Sequence, residues 1–515
     1  MCSHALNISV ARPLIAICGT TGVGKSKLAI ELALALAEGR KQGYHGARII
    51  NADSMQVYAG VDVITNKVPF EERCGVEHVL MDFKKPGEQY IVTEWVRDAI
   101  EAIDEAHKQG KIPIVVGGTS YWMQNLIFPN RLASFGQTIR QVSPPGILPP
   151  MSEELAQAVA SLPPELLDLY NALPEQPPSA ETEPEAATSL YALLSIIDPE
   201  RAKSWHWRDT RKTLREVCII RENGRTSTAI FAEQAQVIVP PRYRTLCLWL
   251  YANTTELFPR LNARVDQMIE QGLLQEIQAL RSSDAEDSDA EDIDHTLGIY
   301  QCIGFKEFFE YLNATAPSEK LFNEAVERMK VATRRYSRRQ ISWIRNQMLP
   351  LAYKANARSQ AESETVVTPV YLLDATELGD TWTTNVGDVA EQLTHDFLND
   401  KELPDPFSLS ETARHMLNIE ENLTNARRKV TCAVCTTNKE EPVMVEERFW
   451  QAHLRSRLHK RSRQHLTKSS RVAVEHPIRE KVNQEKQYDD PVDIFEDSDA
   501  SLFLQDGDSL HPDPS

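Results

Sequence analysis

The chain has 515 residues, 42% of them apolar, and 56 Lys+Arg against 74 Asp+Glu give a formal charge of −18. That length allows two to four domains, the apolar share excludes wholesale disorder, and the absence of any run of about 18 apolar residues excludes a membrane-spanning helix. The acidity is local: 283–294 holds 7 acids and 488–515 holds 9, neither with a base, and without them the balance rises from −18 to −2. Basic patches and a polyanionic partner therefore stay open.

The first residues, MCSHALNISVARPL, lack the basic, apolar and small-residue regions of a secretory signal. An intracellular protein is expected, in the cytoplasm, with nucleus and mitochondrion left open. Residues 13–128 alternate short apolar strands with amphipathic helices, the pattern of a parallel α/β sheet. Strands are predicted over 13–18 (PLIAIC), 47–52 (ARIINA) and 112–116 (IPIVV). Helices are predicted over 25–37 and over 93–108, where Val96, Ile100 and Ile103 share one face. From 129 to about 187 prolines and acids accumulate, predicting an insertion with an extended or disordered part. Helical patterning resumes near Leu190 and runs, with breaks, to Met348, followed by a strand over 368–374 and a helix over 385–398. The expected organisation is a first core segment (1–128), an insertion that is Pro-rich and then helical (129–235), and a helical remainder of the core carrying a basic helix (236–398). A linker (399–426), a small Cys/His module (427–465) and a disordered tail running from basic to acidic (466–515) follow.

Between the first strand and helix stands Gly19-Thr20-Thr21-Gly22-Val23-Gly24-Lys25-Ser26, which fits G-x4-G-K-S/T in the strand–helix context that a phosphate-binding loop needs. Glycines let successive backbone N–H groups close around phosphate oxygens, and the helix N-terminus adds partial positive charge. Lys25 supplies a point charge, and the Ser26 hydroxyl is the expected Mg²⁺ ligand. An NTPase would also place an Asp at the end of a neighbouring strand, but strand 112–116 ends in Gly117. Asp82 (HVLMD) and Asp374 (VYLLD) could imitate it, so a small-molecule or nucleotide kinase remains an alternative.

Of the eight cysteines, six are scattered and one pair is close-spaced. Cys432-x2-Cys435, 17 residues, then His453-x5-His459 is a C2H2 arrangement suited to a tetrahedral structural Zn²⁺. Basic flanks (Arg427-Arg428-Lys429; Arg455, Arg457, Lys460, Arg461, Arg463) favour RNA-backbone contact over protein binding. A second basic run, Lys330 to Arg345, carries Arg334 and Arg338 interleaved with Tyr336 and Trp343, and Arg211, Lys212 and Arg215 form a third cluster. Cations position a nucleic-acid backbone and aromatics stack on splayed bases.

Several further segments carry a resemblance: IINADSMQVYAGVDV (49–63), KIPIVVGGTSYW (111–122), DPERAKSWHWRDTRKTLREVCIIRENGR (198–225), LFPRLNARVDQMIEQGLLQEIQAL (257–280), QCIGFKE (301–307) and TRRYSRRQISWIR (333–345). In this order, over 13 to about 350, the chain resembles the tRNA dimethylallyltransferases (tRNA isopentenyltransferases), and its Cys/His module resembles that of the eukaryotic branch. It departs from the family's frequent His-Pro-Asn-Asp, which is His206-Trp207-Arg208-Asp209 here, and in its Pro-rich insertion. The resemblance implies an α/β, P-loop NTPase-like parallel sheet core with a mainly helical insertion and a C-terminal zinc finger. It implies attack by N6 of the adenine 3′ to the anticodon on dimethylallyl diphosphate, with release of diphosphate. Asp53, following strand two at the carboxyl edge where such sheets bind ligands, is then the general base; a loop-capping role is the plainer reading. Thr119, Arg264 and Lys25 complete the catalytic set, and Gly19 to Ser26 bind the diphosphate. Asp53, Ser54, Met55 and Gln56, with Arg211, Lys212, Arg215, Arg334 and Arg338, are the expected contacts to the tRNA anticodon stem-loop. A monomer with one Mg²⁺ and one Zn²⁺ is expected, and a non-catalytic zinc-finger RNA-binding protein is the second alternative.

Overall fold

The computed structural model describes residues 12–39, 44–129, 149–236, 240–286, 298–362, 367–419, 428–438 and 441–472. Six strands form one sheet: β1 (Pro13–Gly19), β2 (Ala47–Asn51), β3 (His78–Val79), β4 (Ile112–Val116), β5 (Arg244–Tyr251) and β6 (Val370–Asp374). Their order is β3-β2-β4-β1-β5-β6, and every pair is parallel. Ile15 of central β1 pairs with Ile114 of β4 and Leu246 of β5. Side chains alternate between the faces. Leu14, Ala16 and Cys18 join one apolar layer with Trp95 and Trp122, while Ile15 and Ile17 join the other with Leu28 and Leu32. Helices therefore cover both faces, which is why these strands read as unbroken apolar runs.

Several expectations change. The region 236–398 is not a helical remainder alone, because RTLCLWLY forms β5 beside β1. Its residues Thr245–Leu250 are buried on both faces, so no alternation marks them as a strand. The described part of the Pro-rich stretch is helical over Glu153–Ala160, Pro164–Asn171 and Pro184–Ile197, and irregular, as expected, over 172–183. Pro164 and Pro184 each open a helix, where a missing N–H costs nothing and the fixed φ helps. The expected linker contains a helix, Glu411–Leu417, that buries Ala413, Met416 and Leu417. The predicted helix 385–398 begins as a π-turn, Thr383–Gly387, and continues as Asp388–Leu398. Residues 130–148, most of the acidic tract (287–297) and the acidic tail lie outside the described residues.

The chain divides into two compact units, the first drawn mainly from 1–132 and 238–419 and the second from 133–237 and 420–492. The sheet belongs to the first. The second has its own core of Leu155, Leu190, Leu194, Ile197, Val217 and Ile220. It also contains the antiparallel hairpin β7 (Lys429–Thr431) and β8 (Met444–Glu446), followed by helices Trp450–Arg455 and Arg457–Val472. No helix among the described residues is long and apolar enough to cross a membrane.

Candidate active site and metal centre

The phosphate loop leaves the carboxyl end of β1 and enters the helix Lys25–Gly39. Gly24 has φ +81°, and a Cβ there would stand 2.4 Å from the Trp382 ring, so only glycine fits. Val23 is buried beneath the loop, and Gly22 and Ser26 are partly exposed. The Thr21 N–H donates to Gln340 Oε1 (2.8 Å), and Gln340 Nε2 donates to the Gly118 carbonyl (3.1 Å). One amide thus ties the loop to the segment after β4. Lys25 Nζ turns back onto the Thr20 carbonyl at 2.7 Å. The Thr20 hydroxyl is buried without a hydrogen-bond partner among the described residues.

Asp53 leaves β2 on the same edge. Asn51 shapes its turn by accepting from the Asp53 N–H (3.1 Å) and donating to the Asp53 and Leu80 carbonyls (3.1 and 2.9 Å). Asp53 Oδ1 accepts the Met55 N–H at 3.0 Å, so the loop-capping reading holds, yet the carboxylate also faces the cations. A Cβ on Gly118 would stand 2.6 Å from Gln340 Nε2, 3.3 Å from Asp53 Oδ2 and 3.4 Å from the Tyr336 hydroxyl. Glycine here lets backbone, carboxylate and phenol converge. Thr119 is buried; its Oγ1 accepts the Ser54 N–H (3.0 Å) and donates to Ser54 Oγ (3.3 Å).

From the helix Thr254–Glu270, Arg264 Nε donates to Asn66 Oδ1 (2.7 Å) and Nη1 to Thr21 Oγ1 (3.1 Å). Arg260, one turn earlier, donates to the Thr376 carbonyl at 2.8 Å and, more weakly, to Gly22 and Ala375. Burial brings the Lys25 ammonium down to about 8, against the opposing pull of Asp53. It brings the Arg264 guanidinium down to about 10. Burial also raises the Asp53 carboxyl above its ordinary value, opposed by backbone N–H groups and by Lys25 and Arg264. Two cations short of anionic partners and one proton-accepting carboxylate therefore share a site. Asp53 and Arg264 border a cleft of ≈ 820 Å³, counting its part open to solvent, whose apolar wall includes Ile64, Leu261, Val265, Met268 and Met329.

Ser54 and Met55 line this cleft, while Gln56 Nε2 is held by the Thr65 and Asn66 carbonyls at 3.1 and 3.2 Å. On the helix Glu319–Trp343, Arg334 donates to Asn262, and Arg338 is exposed with its guanidinium 4.7 Å from the Phe258 ring centroid. Arg211 and Arg215 are partly exposed on the helix Thr210–Asn223 of the second unit. Lys212 departs from the expected surface cluster, because it faces inward. It is 7% exposed, and its ammonium lies 5.1 Å from the Trp205 ring centroid and pairs with Asp209 at 3.9 Å, beyond hydrogen-bond reach. Neither candidate Walker-type Asp flanks β1. Asp82 pairs with Lys67 beyond edge strand β3, and Asp374 ends β6 and accepts from Thr412 (2.8 Å). Sequence reasoning missed Gln340, Asn66 and Asn51, whose amides join segments far apart in the chain.

In the second unit the four Cys/His ligand atoms lie within 4.8 Å of one another. Cys432 Sγ is 3.4 Å from His459 Nδ1, Cys435 Sγ is 3.5 Å from His453 Nε2 and from His459 Nδ1, and the two nitrogens are 3.2 Å apart. Tetrahedral zinc with bonds of about 2.0–2.1 Å to nitrogen and about 2.3 Å to sulfur requires edges of roughly 3.3 and 3.5 Å, which these match.

A phosphate loop, a convergent carboxylate and an apolar wall on the carboxyl edge of a parallel sheet define an α/β protein built for group transfer from a phosphorylated substrate. The IPP transferase family profile matches residues 56–347. The tRNA dimethylallyltransferase of Schizosaccharomyces pombe is 35% identical, covering 87% of this chain and 94% of its own. The protein of the same name from Saccharomyces cerevisiae is 32% identical, covering 88% and 92%. A solved eukaryotic dimethylallyltransferase acting on tRNA has a TM-score of 0.66 at 30% identity, covering 90% of this chain and 99% of that one. The chain belongs to the IPP transferase family.

Proposed function

We propose that this enzyme transfers a dimethylallyl group from dimethylallyl diphosphate to N6 of the adenine 3′ to the anticodon in tRNA, releasing diphosphate. The observation that carries the reading is the grouping of Lys25 with Arg264 and Asp53, the last two of which line a cleft with an apolar wall. The loop amides, Lys25 and Arg264 hold the diphosphate, and the apolar wall takes the five-carbon chain. The adenine amine attacks C1, and the C1–O bond breaks with its electron pair leaving on the diphosphate. Asp53 accepts the proton, as its raised affinity for one suits it to do. Thr119, bonded to Ser54 next to Asp53, keeps that loop against the end of β4.

Ser26 would share a Mg²⁺ with the diphosphate's own oxygens, a hydroxyl-and-phosphate donor set that suits a hard cation retaining much of its water. When bound, the ion neutralises charge building on the leaving group. Cys432, Cys435, His453 and His459 would hold a structural Zn²⁺. Exposed cations of the second unit contact the RNA backbone, and the target base leaves its stack to reach Asp53. The kinase alternative lacks support, because β4 and β5, the neighbours of β1, end at Val116 and Tyr251 with no Asp following directly. We expect a cytoplasmic monomer.

Incubation with radiolabelled dimethylallyl diphosphate and bulk tRNA, followed by nucleoside analysis, tests the reading. Label on a modified adenosine is expected. Absence of transfer, with brisk phosphoryl transfer from ATP, would overturn it.

A further inference from the structure

The turn between helices Pro199–Ala202 and Thr210–Asn223 carries Trp207, where the resembled motif has proline. Such a turn would be expected to face water, yet Trp207 is only 1% exposed. Its indole Nε1 donates to the Pro442 carbonyl at 3.0 Å. Pro442 precedes Val443, whose carbonyl accepts the N–H of the metal-ligating Cys432 at 2.8 Å. Around the indole, the Lys429 N–H at the start of β7 donates to the Lys203 carbonyl (2.6 Å). Arg428 pairs with Glu200 at 3.3 Å. Arg208 pairs with Glu441 at 3.7 Å and lies 5.0 Å from the Trp207 ring centroid. Those ion pairs are partly or largely exposed and contribute little. A tryptophan buries roughly 150–250 Å², so the indole dominates the junction.

We propose that Trp207 docks the Cys/His module onto the helical insertion, and that this docking, not metal binding alone, sets the module's exposed cations where they add to RNA affinity. Arg455, Arg457, Lys460, Arg461 and Arg463 are exposed on the module's helices. Tethered only by the chain, they would lose orientational freedom on every encounter with RNA; docked, they are already in place. Trp207 is a positioning residue, and the RNA part of the inference rests on the tRNA reading above.

The test uses the full chain with Trp207→Ala and Trp207→Phe. Zinc should remain at one per chain in both. Trypsin should cut the Arg428–Lys429 bond about tenfold faster in Trp207→Ala, with Trp207→Phe, which keeps packing but loses the hydrogen bond, in between. The KM for full-length tRNA should rise about tenfold in Trp207→Ala while kcat stays within about twofold. Wild-type digestion together with wild-type KM would overturn the proposal, as would loss of zinc from both variants. If Trp207→Ala misfolds, seen as a collapse of kcat, Trp207→Phe carries the test: faster cutting and a raised KM at full kcat support docking, and wild-type values refute it. If the wild type labels no tRNA, the activity reading fails, and the protease arm still decides the docking.

Discussion

Lys25 offers a quantitative test of the diphosphate site. Burial lowers its ammonium to about 8. It is therefore about nine-tenths charged at pH 7 and about one-tenth charged at pH 9. A diphosphate ligand needs the charged form and should raise this value again. Affinity for the non-transferring analogue dimethylallyl thiolodiphosphate should thus fall about tenfold between pH 7 and pH 9, with about half a proton taken up on binding at pH 8. Calorimetry in two buffers of different ionisation enthalpy reads both quantities. Arg264, at about 10, stays charged across this window and does not confuse the result. Lys25→Met should weaken binding at pH 7 and flatten the profile. The sign for stability runs the other way. Between pH 8 and 10.5 the unfolded chain holds more protons at Lys25 than the folded one, so the ligand-free protein gains stability as pH rises through that window. Lys25→Met should then be more stable at pH 7, by at most on the order of 3 kcal/mol, because it removes a desolvated charge. A wild-type affinity flat from pH 7 to 9, with no proton uptake at pH 8, would refute the reasoning.

Asp53→Asn should lower transfer by about 10²–10⁴ while tRNA binding, read by filter retention, stays close to wild type; a near wild-type rate removes Asp53 from its role. Gly118→Ala would push a methyl to 2.6 Å from Gln340 Nε2 and toward Asp53 and Tyr336. It should raise the KM for dimethylallyl diphosphate and lower kcat in steady-state assays, and unchanged kinetics would show that the convergence is not needed. Cys432→Ser should lose zinc by elemental analysis and weaken tRNA binding, with the rate at saturating tRNA largely kept. Lys212→Met should change the melting temperature little, because relief of a buried ammonium's desolvation is offset by loss of its Asp209 ion pair (3.9 Å) and its contact with the Trp205 ring. It should also change tRNA affinity less than Arg211→Ala does.

The sequence by itself determined the parts of this protein governed by short-range physics. The glycines, lysine and serine of 19–26 follow one another in the chain, so a strand–loop–helix phosphate cradle is written locally. The Cys432–Cys435 and His453–His459 spacings likewise specify the Cys/His cluster able to hold a metal before any packing is known. Strand β4 was legible residue for residue, because five apolar residues are bounded by Lys111 and Gly117. Tertiary structure decided what depends on two distant segments meeting. RTLCLWLY becomes β5 only because β1 has an unsatisfied edge beside it. Gln340 matters only because the Thr21 amide and the Gly118 carbonyl arrive at its two ends. Lys212 reads as a surface cation until the helix Thr210–Asn223 turns that face toward Trp205. Local composition encodes which groups are present. Which of them lose water, and so change their charge and their partners, is set by the fold as a whole.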